Sequence, residues 1–223
     1  MSFDTSAYLR KATPRAKSDV ANKLISMFLH ELSRRVVAEI GLSVTDAAYA
    51  DAVTAAFGVC CSYCSRPLEL DRASVEHPDG LNRFRAGLHI PGNVIVACKR
   101  CNNEKRRDDS LPKLLLADSG WASFLSHDAT RCAVGCKTCT YWATIWPDAI
   151  ERQERLKAVK EKIVGFRNNY PTATAWSATA RHSLREKLES LYRESQRFAT
   201  SQIEAAAESI FSEVRSACGH QSP

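Results

Sequence analysis

The chain has 223 residues, of which 44% are hydrophobic and 25% are charged, a composition that is ordinary for a globular protein and argues against wholesale disorder. No apolar run approaches the roughly 20 residues that a bilayer-spanning helix needs. The N-terminus also lacks the apolar stretch of a signal peptide, so we expect a cytoplasmic protein with no membrane contact. The formal net charge of +6 favours contacts with phosphate groups.

Two amphipathic helices are predicted at the start of the chain. Apolar residues recur at near-helical spacing from Ser18 to the stop signal at Gly41. A shorter helix is predicted from Thr45 to Gly58, because glycine commonly follows the last helical turn. These features define an N-terminal helical region, residues 1–58, that we expect to pack against the segment that follows.

Between residues 59 and 112 the chain changes to short segments that contain glycine, proline and cysteine. Glu76 and His77 end one predicted strand, and the apolar sequence NVIVA at residues 93–97 is typical of a buried strand. A helix is predicted to begin at Asn102, directly after the second cysteine pair. Two strands followed by a helix predict one small α+β module.

Two CxxC pairs frame this module, Cys61 with Cys64 and Cys98 with Cys101. The chain has nine cysteines and no export signal, and because the cytosol keeps thiols reduced, metal ligation is a better expectation than disulfides. Four thiolates complete a tetrahedral zinc site and leave no position for water, so this Zn²⁺ is expected to be structural. The adjacent Cys60 leaves the register open, although only Cys61 gives the CxxC spacing.

The segments CSYC, VEH, GLHIPGNVIVACKRC and NNEKR, in this order, resemble the zinc-bearing branch of the HNH (ββα-metal) endonuclease family. The resemblance extends over residues 61–106 and is weak outside them. It implies a β-hairpin followed by a helix that holds one divalent metal ion. The predicted fold is therefore α+β, a ββα-metal module at residues 59–112 embedded in mainly α-helical flanking regions.

The same resemblance implies roles for individual residues. His77 matches the general base that activates water, and Glu76 matches the acidic ligand of the catalytic metal. Asn93 matches the middle asparagine, which fixes the hairpin loop, and Asn102 matches a second metal ligand, with Asn103 as its competitor. Family members often have aspartate where this chain has Glu76, and histidine where it has Asn102, which leaves the preferred metal open.

These roles agree with what phosphodiester hydrolysis requires. A neutral histidine can accept a proton from water, and a cation held by carboxylate and amide oxygens suits Mg²⁺ or Mn²⁺. The basic run Lys105, Arg106 and Arg107 is expected to contact phosphates of the substrate. His89 lies in the loop before Asn93, where a solvent-exposed or hairpin role is favoured over a place in the site.

A second cysteine cluster occurs in the region 113–147. Ser110 and Pro112 are predicted to open one or two short helices before it. Three cysteines are one fewer than a full zinc site needs, and His127 is the favoured fourth ligand of a second structural zinc. Core packing beside nearby tryptophans is the alternative explanation. The cysteines are Cys132, Cys136 and Cys139, and the rival fourth ligands are His182, Cys60 and Cys218.

The C-terminal region, residues 148–223, is predicted to be helical. A basic helix is expected from Pro147 to Phe166, followed by a long helix whose apolar residues from Leu184 to Val214 form one stripe. This stripe suits a homo-oligomer or a partner protein. Packing against the earlier helices explains it equally well.

The sequence thus predicts an endonuclease that hydrolyses phosphodiester bonds in double-stranded DNA. A non-catalytic zinc ribbon that binds nucleic acid or protein is the alternative, but such a module does not need the Glu76, His77, Asn93 and Asn102 pattern. A ribonuclease or a nicking enzyme on the same scaffold is a third reading.

Overall fold

A computed structural model describes residues 12–69, 72–109, 120–130 and 132–217. The described chain is mostly helical and contains one antiparallel pair of short strands, which confirms the α+β prediction. In chain order the elements are α1 (Ala12–Ile40), α2 (Ala47–Phe57), β1 (Ala73–Glu76), β2 (Ile95–Cys98), α3 (Lys99–Asp109), α4 (Gly120–Phe124), α5 (Lys137–Ile145), α6 (Ala149–Asn168) and α7 (Pro171–Ala217).

The chain forms two compact units. One lies within residues 28–185 and contains both strands and every predicted site residue. The other combines the start of α1, up to Met27, with α7 from Glu186 onward. In this second unit the Tyr192 hydroxyl donates a hydrogen bond to Ser18 Oγ at 3.3 Å. The boundaries predicted from the sequence for four regions stay predictions.

Most helix boundaries follow local signals in the sequence. Helix α6 begins after Asp148, whose carboxylate accepts a 2.8 Å hydrogen bond from the Glu151 N–H, as an N-cap does. Helix α1 begins at Ala12, earlier than the start expected at Ser18. Proline is tolerated in a first helical turn because the N–H groups there have no intrahelical partner, so Pro14 does not delay the start. The start predicted at Ser110 and Pro112 lies outside the described residues.

The ββα arrangement is formed by β1, β2 and α3. The strands pair in antiparallel register, with Ala73 opposite Cys98 and Glu76 opposite Ile95. Helix α3 begins at Lys99, three residues before the start predicted at Asn102, because it follows β2 without an intervening loop and includes Cys101 in its first turn. The chain between the strands returns in a long loop, residues 77–94. His77 opens this loop.

An aromatic core supports the module from α4 and α5. Trp142 is fully buried, stacks on Trp146 at 5.4 Å between ring centroids, and contacts Phe124 at 4.7 Å. Its indole N–H donates to the Phe124 carbonyl at 2.9 Å, so burying this ring leaves no donor unsatisfied. Tyr63 meets the other side of Phe124 edge-on, which joins the first cysteine turn to this core.

Helix α7 keeps several apolar side chains exposed beyond Gln196. Phe198 is 68% exposed and Phe211 is 61% exposed. The homo-oligomer or partner protein predicted from this stripe stays a prediction. Among the described residues, no helix combines the length and apolar character that crossing a membrane requires.

Candidate functional site

The first cysteine cluster is assembled from two separated turns. The four Sγ atoms of Cys61, Cys64, Cys98 and Cys101 all lie within 4.8 Å of one another. The first turn is closed by the Ser65 N–H, which donates to the Cys61 carbonyl at 2.9 Å. The second pair lies at the junction of β2 and α3. Cys60 stays outside the cluster, which supports the register favoured from the sequence.

The four sulfur atoms could hold a metal ion such as zinc. Tetrahedral Zn²⁺ with bonds of about 2.3 Å places its sulfur ligands about 3.8 Å apart. The Sγ atoms of Cys64 and Cys98 are 4.0 Å apart, close to that separation. Hydrogen bonds among the four cysteines hold the pKa of Cys98 well below its usual range and raise the pKa of Cys101, as expected for thiols that share protons at close distance.

Glu76 belongs to a buried ion pair at the end of β1. Its Oε1 accepts a 2.8 Å contact from the Lys105 ammonium and a 3.3 Å hydrogen bond from the Tyr63 hydroxyl. The Glu76 and Lys105 side chains are 4% and 1% exposed. The ammonium also donates to the His77 carbonyl at 2.8 Å. Lys105 thus lies inside the protein, whereas the expected phosphate contact requires an exposed side chain.

Three histidines meet where the loop leaves β1. His77 Nε2 lies 2.8 Å from His89 Nδ1, within hydrogen-bonding distance. The His30 ring, from α1, lies 5.4 Å from the His89 ring and 6.4 Å from the His77 ring between centroids. The His89 ring thus contacts His77 directly, which does not fit the solvent-exposed role favoured from the sequence, whereas a role within the hairpin stays a prediction. The Ser33 hydroxyl, also from α1, accepts the His89 N–H at 2.8 Å and fixes this part of the loop.

The surroundings of His77 disfavour its charged form. Burial, together with His89, Lys105 and His30, lowers the pKa of His77 to about 3. Desolvation penalises the imidazolium, and the electrostatic effect of these neighbours acts in the same direction. His77 is therefore neutral at neutral pH, the protonation state that a general base requires.

Asn93 is buried and holds the loop between the strands in one conformation. Its Oδ1 accepts the Asp79 N–H at 2.8 Å, and its Nδ2 donates to the carbonyls of Asp79 at 3.0 Å and Leu88 at 2.8 Å. These bonds join the two ends of the loop that carries His77 and His89. The structure thus gives Asn93 the kind of contacts that its predicted loop-fixing role needs.

Asp79 anchors the same loop to the helices that follow. Its buried carboxylate accepts from Arg167 at 2.8 Å and from Arg181 at 2.6 Å. Gly87 crosses directly over this residue, where an added Cβ would lie 1.8 Å from the Asp79 carbonyl oxygen. Only glycine fits at residue 87 without moving the backbone.

Asn102 and the remaining basic residues lie on α3. Asn102 Nδ2 donates to Ser74 Oγ at 2.8 Å, so this side chain runs along β1, the strand that ends at Glu76. Asn103, its competitor in the sequence, is exposed. Arg106 and Arg107 are exposed as well, and Arg107 pairs with Glu104 on the same helix.

The second cluster brings together the residues that the sequence selected. One ligand atom from each of four residues lies within 4.8 Å of the others, and these residues are His127, Cys132, Cys136 and Cys139. This set could also hold a metal such as zinc. Of the rival fourth ligands, His182 and Cys60 are not part of it, and Cys218 lies outside the described residues.

Several residues that shape the site were not identified from the sequence, namely His30, Tyr63, Asp79, Asp108, Arg167 and Arg181. The burial of Lys105 did have a signal. Cys101, Lys105 and Asp108 recur at i, i+4 and i+7, the spacing of one helix face, and all three are buried. His30, Arg167 and Arg181 come from distant parts of the chain, where the sequence offers no local pattern, whereas Tyr63 and Asp79 lie within the module beside the cysteine pair and His77.

Comparison with known families agrees with this geometry. Residues 61–108 match the family model described as HNH endonuclease, which supports a nuclease-type function. No curated protein and no solved structure matches the chain. The match begins at the first cysteine of the first cluster and ends at Asp108 of α3. Residues 61–108 therefore match an HNH endonuclease domain, and their paired cysteines fit the zinc-bearing branch of that family.

Proposed function

We propose that the protein is a metal-dependent endonuclease that hydrolyses phosphodiester bonds in double-stranded DNA, with His77 as its general base. One observation carries this proposal: a neutral histidine, held by a second histidine, follows a buried glutamate inside the segment that matches the HNH family. A zinc ribbon that only binds has no use for such a histidine. The family match likewise does not favour that alternative.

The contact between His77 and His89 selects which nitrogen accepts the proton. If His77 Nε2–H donates to His89 Nδ1, then the lone pair of His77 lies on Nδ1. That nitrogen can take a proton from the attacking water. His89 acts as a positioning residue because it fixes the ring and the tautomer, and Ser33 holds His89 in turn through its backbone N–H.

Glu76 and Asn102 are the residues that would hold the catalytic metal ion. Both are associated with β1, since Glu76 ends the strand and Asn102 is hydrogen-bonded to Ser74. Carboxylate and amide oxygens suit Mg²⁺ or Mn²⁺, and such an ion would supply positive charge against the negative charge that develops on the phosphate and the leaving oxygen. The Lys105 ammonium already places one positive charge beside the Glu76 carboxylate. We therefore expect weak metal affinity, so that cleavage activity keeps rising as the Mg²⁺ or Mn²⁺ concentration reaches the millimolar range.

The exposed face of α3 supplies contacts to DNA phosphates. Lys99, Arg100, Arg106 and Arg107 are exposed on this helix. Contacts with phosphate give affinity with little choice of sequence, and their contribution weakens as salt rises. Lys105 is left out of this set because its ammonium is buried.

The first cluster is proposed to bind a structural Zn²⁺. Its four thiolates fill a tetrahedral shell, so no position stays open for water or substrate. The ion would join the turn before β1 to the junction of β2 and α3. This cross-link fixes the start of the helix that carries Asn102.

The test is a cleavage assay with purified protein, supercoiled plasmid and structured RNA, each with Mg²⁺, with Mn²⁺ and with EDTA. Wild-type protein should cleave the plasmid with either metal and lose activity in EDTA. His77→Ala should slow cleavage by about 100-fold or more, because it removes the base but no zinc ligand. His182→Ala is the matched control, since His182 is exposed and outside both clusters, and it should cleave at the wild-type rate.

Two results would contradict the proposal. Retention of more than about a tenth of the wild-type rate in His77→Ala excludes His77 as the base. Cleavage of RNA while the plasmid stays intact would show that the substrate is RNA, the third interpretation of the sequence.

In the same assay His89→Ala should lower the rate constant for cleavage while leaving DNA affinity unchanged. His89→Gln, which keeps a hydrogen-bonding side chain, should recover part of the rate.

A further inference from the structure

The second cluster has the ligand set and the geometry of a zinc site. His127 Nδ1 lies 3.3 Å from Cys132 Sγ and 3.2 Å from Cys136 Sγ. All four ligand atoms, including that of Cys139, lie within 4.8 Å of one another. Three thiolates and one imidazole form one of the common tetrahedral zinc sets. Its members come from the turn after α4 and from the start of α5.

Core packing does not explain these cysteines. Each of the three is partly exposed, whereas the neighbouring core is completed by Phe124, Trp142 and Trp146. A cysteine that serves as a small hydrophobic residue is normally fully buried. Pairing in a disulfide would leave one of the three thiols over and would not involve His127. Metal ligation accounts for all four side chains at once.

The outer partner of His127 is a second, independent sign of a metal site. His127 Nε2 lies 3.0 Å from Asp108 Oδ1, and the Asp108 side chain is fully buried. Ser123 Oγ donates to the other oxygen of that carboxylate at 3.2 Å. Histidine ligands of zinc usually bind the metal through one nitrogen and donate the other N–H to a carboxylate. The Nδ1 of His127 faces the thiols while its Nε2 faces Asp108.

We propose that His127, Cys132, Cys136 and Cys139 bind a second zinc ion, and that Asp108 couples this ion to the HNH helix α3. Asp108 lies in the last turn of α3. At the other end of the helix, Cys98 directly precedes the first helical residue, Lys99, and Cys101 lies in the first turn. The helix is therefore held at its beginning by the first cluster and at its end by the second, with Asn102 and Lys105 between them. We call the second ion together with Asp108 the brace, because it restrains the last turn of α3.

Zinc content tests the site without reference to catalysis. Elemental analysis after dialysis against a weak chelator should give two zinc ions per wild-type chain and one per Cys139→Ser chain. Cys60→Ser is the matched control, a cysteine outside both clusters, and it should keep two. Substitution with Co²⁺ should give charge-transfer absorbance from the thiolates of both clusters in the wild type. One zinc in the wild type, or two in Cys139→Ser, would overturn the proposal.

Asp108→Asn tests the coupling. An asparagine keeps the shape of the side chain, so the chain should fold and bind two zinc ions. Loss of the charged outer partner should lower the affinity for the second zinc ion by about 10–100-fold, as measured by competition with a chromogenic chelator. Zinc affinity in Asp108→Asn equal to that of the wild type would refute the coupling through this carboxylate.

Hydrogen exchange measures the effect on α3. Amides in the last turns of the helix should exchange faster in Cys139→Ser than in Cys60→Ser, because the brace at that end is lost. Equal exchange in the two variants would refute the brace. The effect of the second zinc on cleavage rests on the proposed nuclease function, whereas zinc content and exchange do not. A protein with two zinc ions and no cleavage would keep this proposal and reject the nuclease.

Discussion

Replacing Lys105 with methionine should destabilise the protein strongly although it removes only one of several basic residues. The ammonium lies 2.8 Å from Glu76 Oε1, and both side chains are at most 4% exposed. Without it, the Glu76 carboxylate stays in the interior without its cationic neighbour, and the His77 carbonyl loses a donor. Breaking a buried pair from one side costs about 3–5 kcal/mol, a large part of the roughly 5–15 kcal/mol that stabilises a typical domain.

Arg106→Met is the matched control because it makes the same change in charge one residue later. The Arg106 side chain is exposed, so its loss should change the free energy of unfolding by less than about 0.5 kcal/mol. It should instead weaken DNA binding and lower the dependence of log affinity on log salt by about 1, as expected for one lost phosphate contact.

Urea unfolding at a fixed free zinc concentration, followed by circular dichroism, measures the first effect. Filter binding at several salt concentrations measures the second. The double variant Glu76→Gln/Lys105→Met should lose less stability than the sum of the single variants, because it removes both charges of the pair from the interior. If Lys105→Met unfolds within about 1 kcal/mol of the wild type, the buried pair is not a stabilising contact and this reasoning fails.

Three further predictions concern the backbone, the first cluster and pH. Gly87→Ala should give insoluble or severely destabilised protein because its Cβ would lie 1.8 Å from the Asp79 carbonyl oxygen. The control Gly165→Ala, where no atom is close, should be as stable as the wild type or up to about 1 kcal/mol more stable. Equal soluble yields of the two variants would refute this prediction. Cys98→Ser should lose the first zinc ion and the folded module, since zinc binding there contributes to folding, and a soluble variant that retains zinc would contradict the four-thiolate site. The low pKa of His77 means that the unfolded chain takes up a proton below pH 6.5 while the folded chain does not until about pH 3. Between pH 7 and pH 5 the free energy of unfolding should therefore fall by up to about 2 kcal/mol more in the wild type than in His77→Asn, as measured by paired urea titrations. An equal fall in the two proteins would show that the pKa of His77 is not lowered by folding.

The sequence by itself determined the ββα module and the positions of its paired cysteines. CxxC turns, a Glu-His pair at a strand end, and asparagines before the second strand and at the helix start are local patterns, and metal ligation depends on such short spacings. The start of α6 also followed a local signal, the Asp148 cap, whereas α1 and β2 begin at residues other than those predicted. These features need only a few neighbouring residues to be recognised.

Only the tertiary structure decided what surrounds these residues. Lys105 and Arg106 are adjacent and chemically alike, yet the packing of α3 against β1 buries one and exposes the other, because successive residues on a helix point about 100° apart. His30 reaches His77 from α1, and Arg167 and Arg181 reach Asp79 from α6 and α7. Such contacts join residues far apart in the chain, and their positions depend on how whole helices pack. For this reason the sequence could single out His77 as the proposed base, whereas the fold supplied the neighbours that lower its pKa.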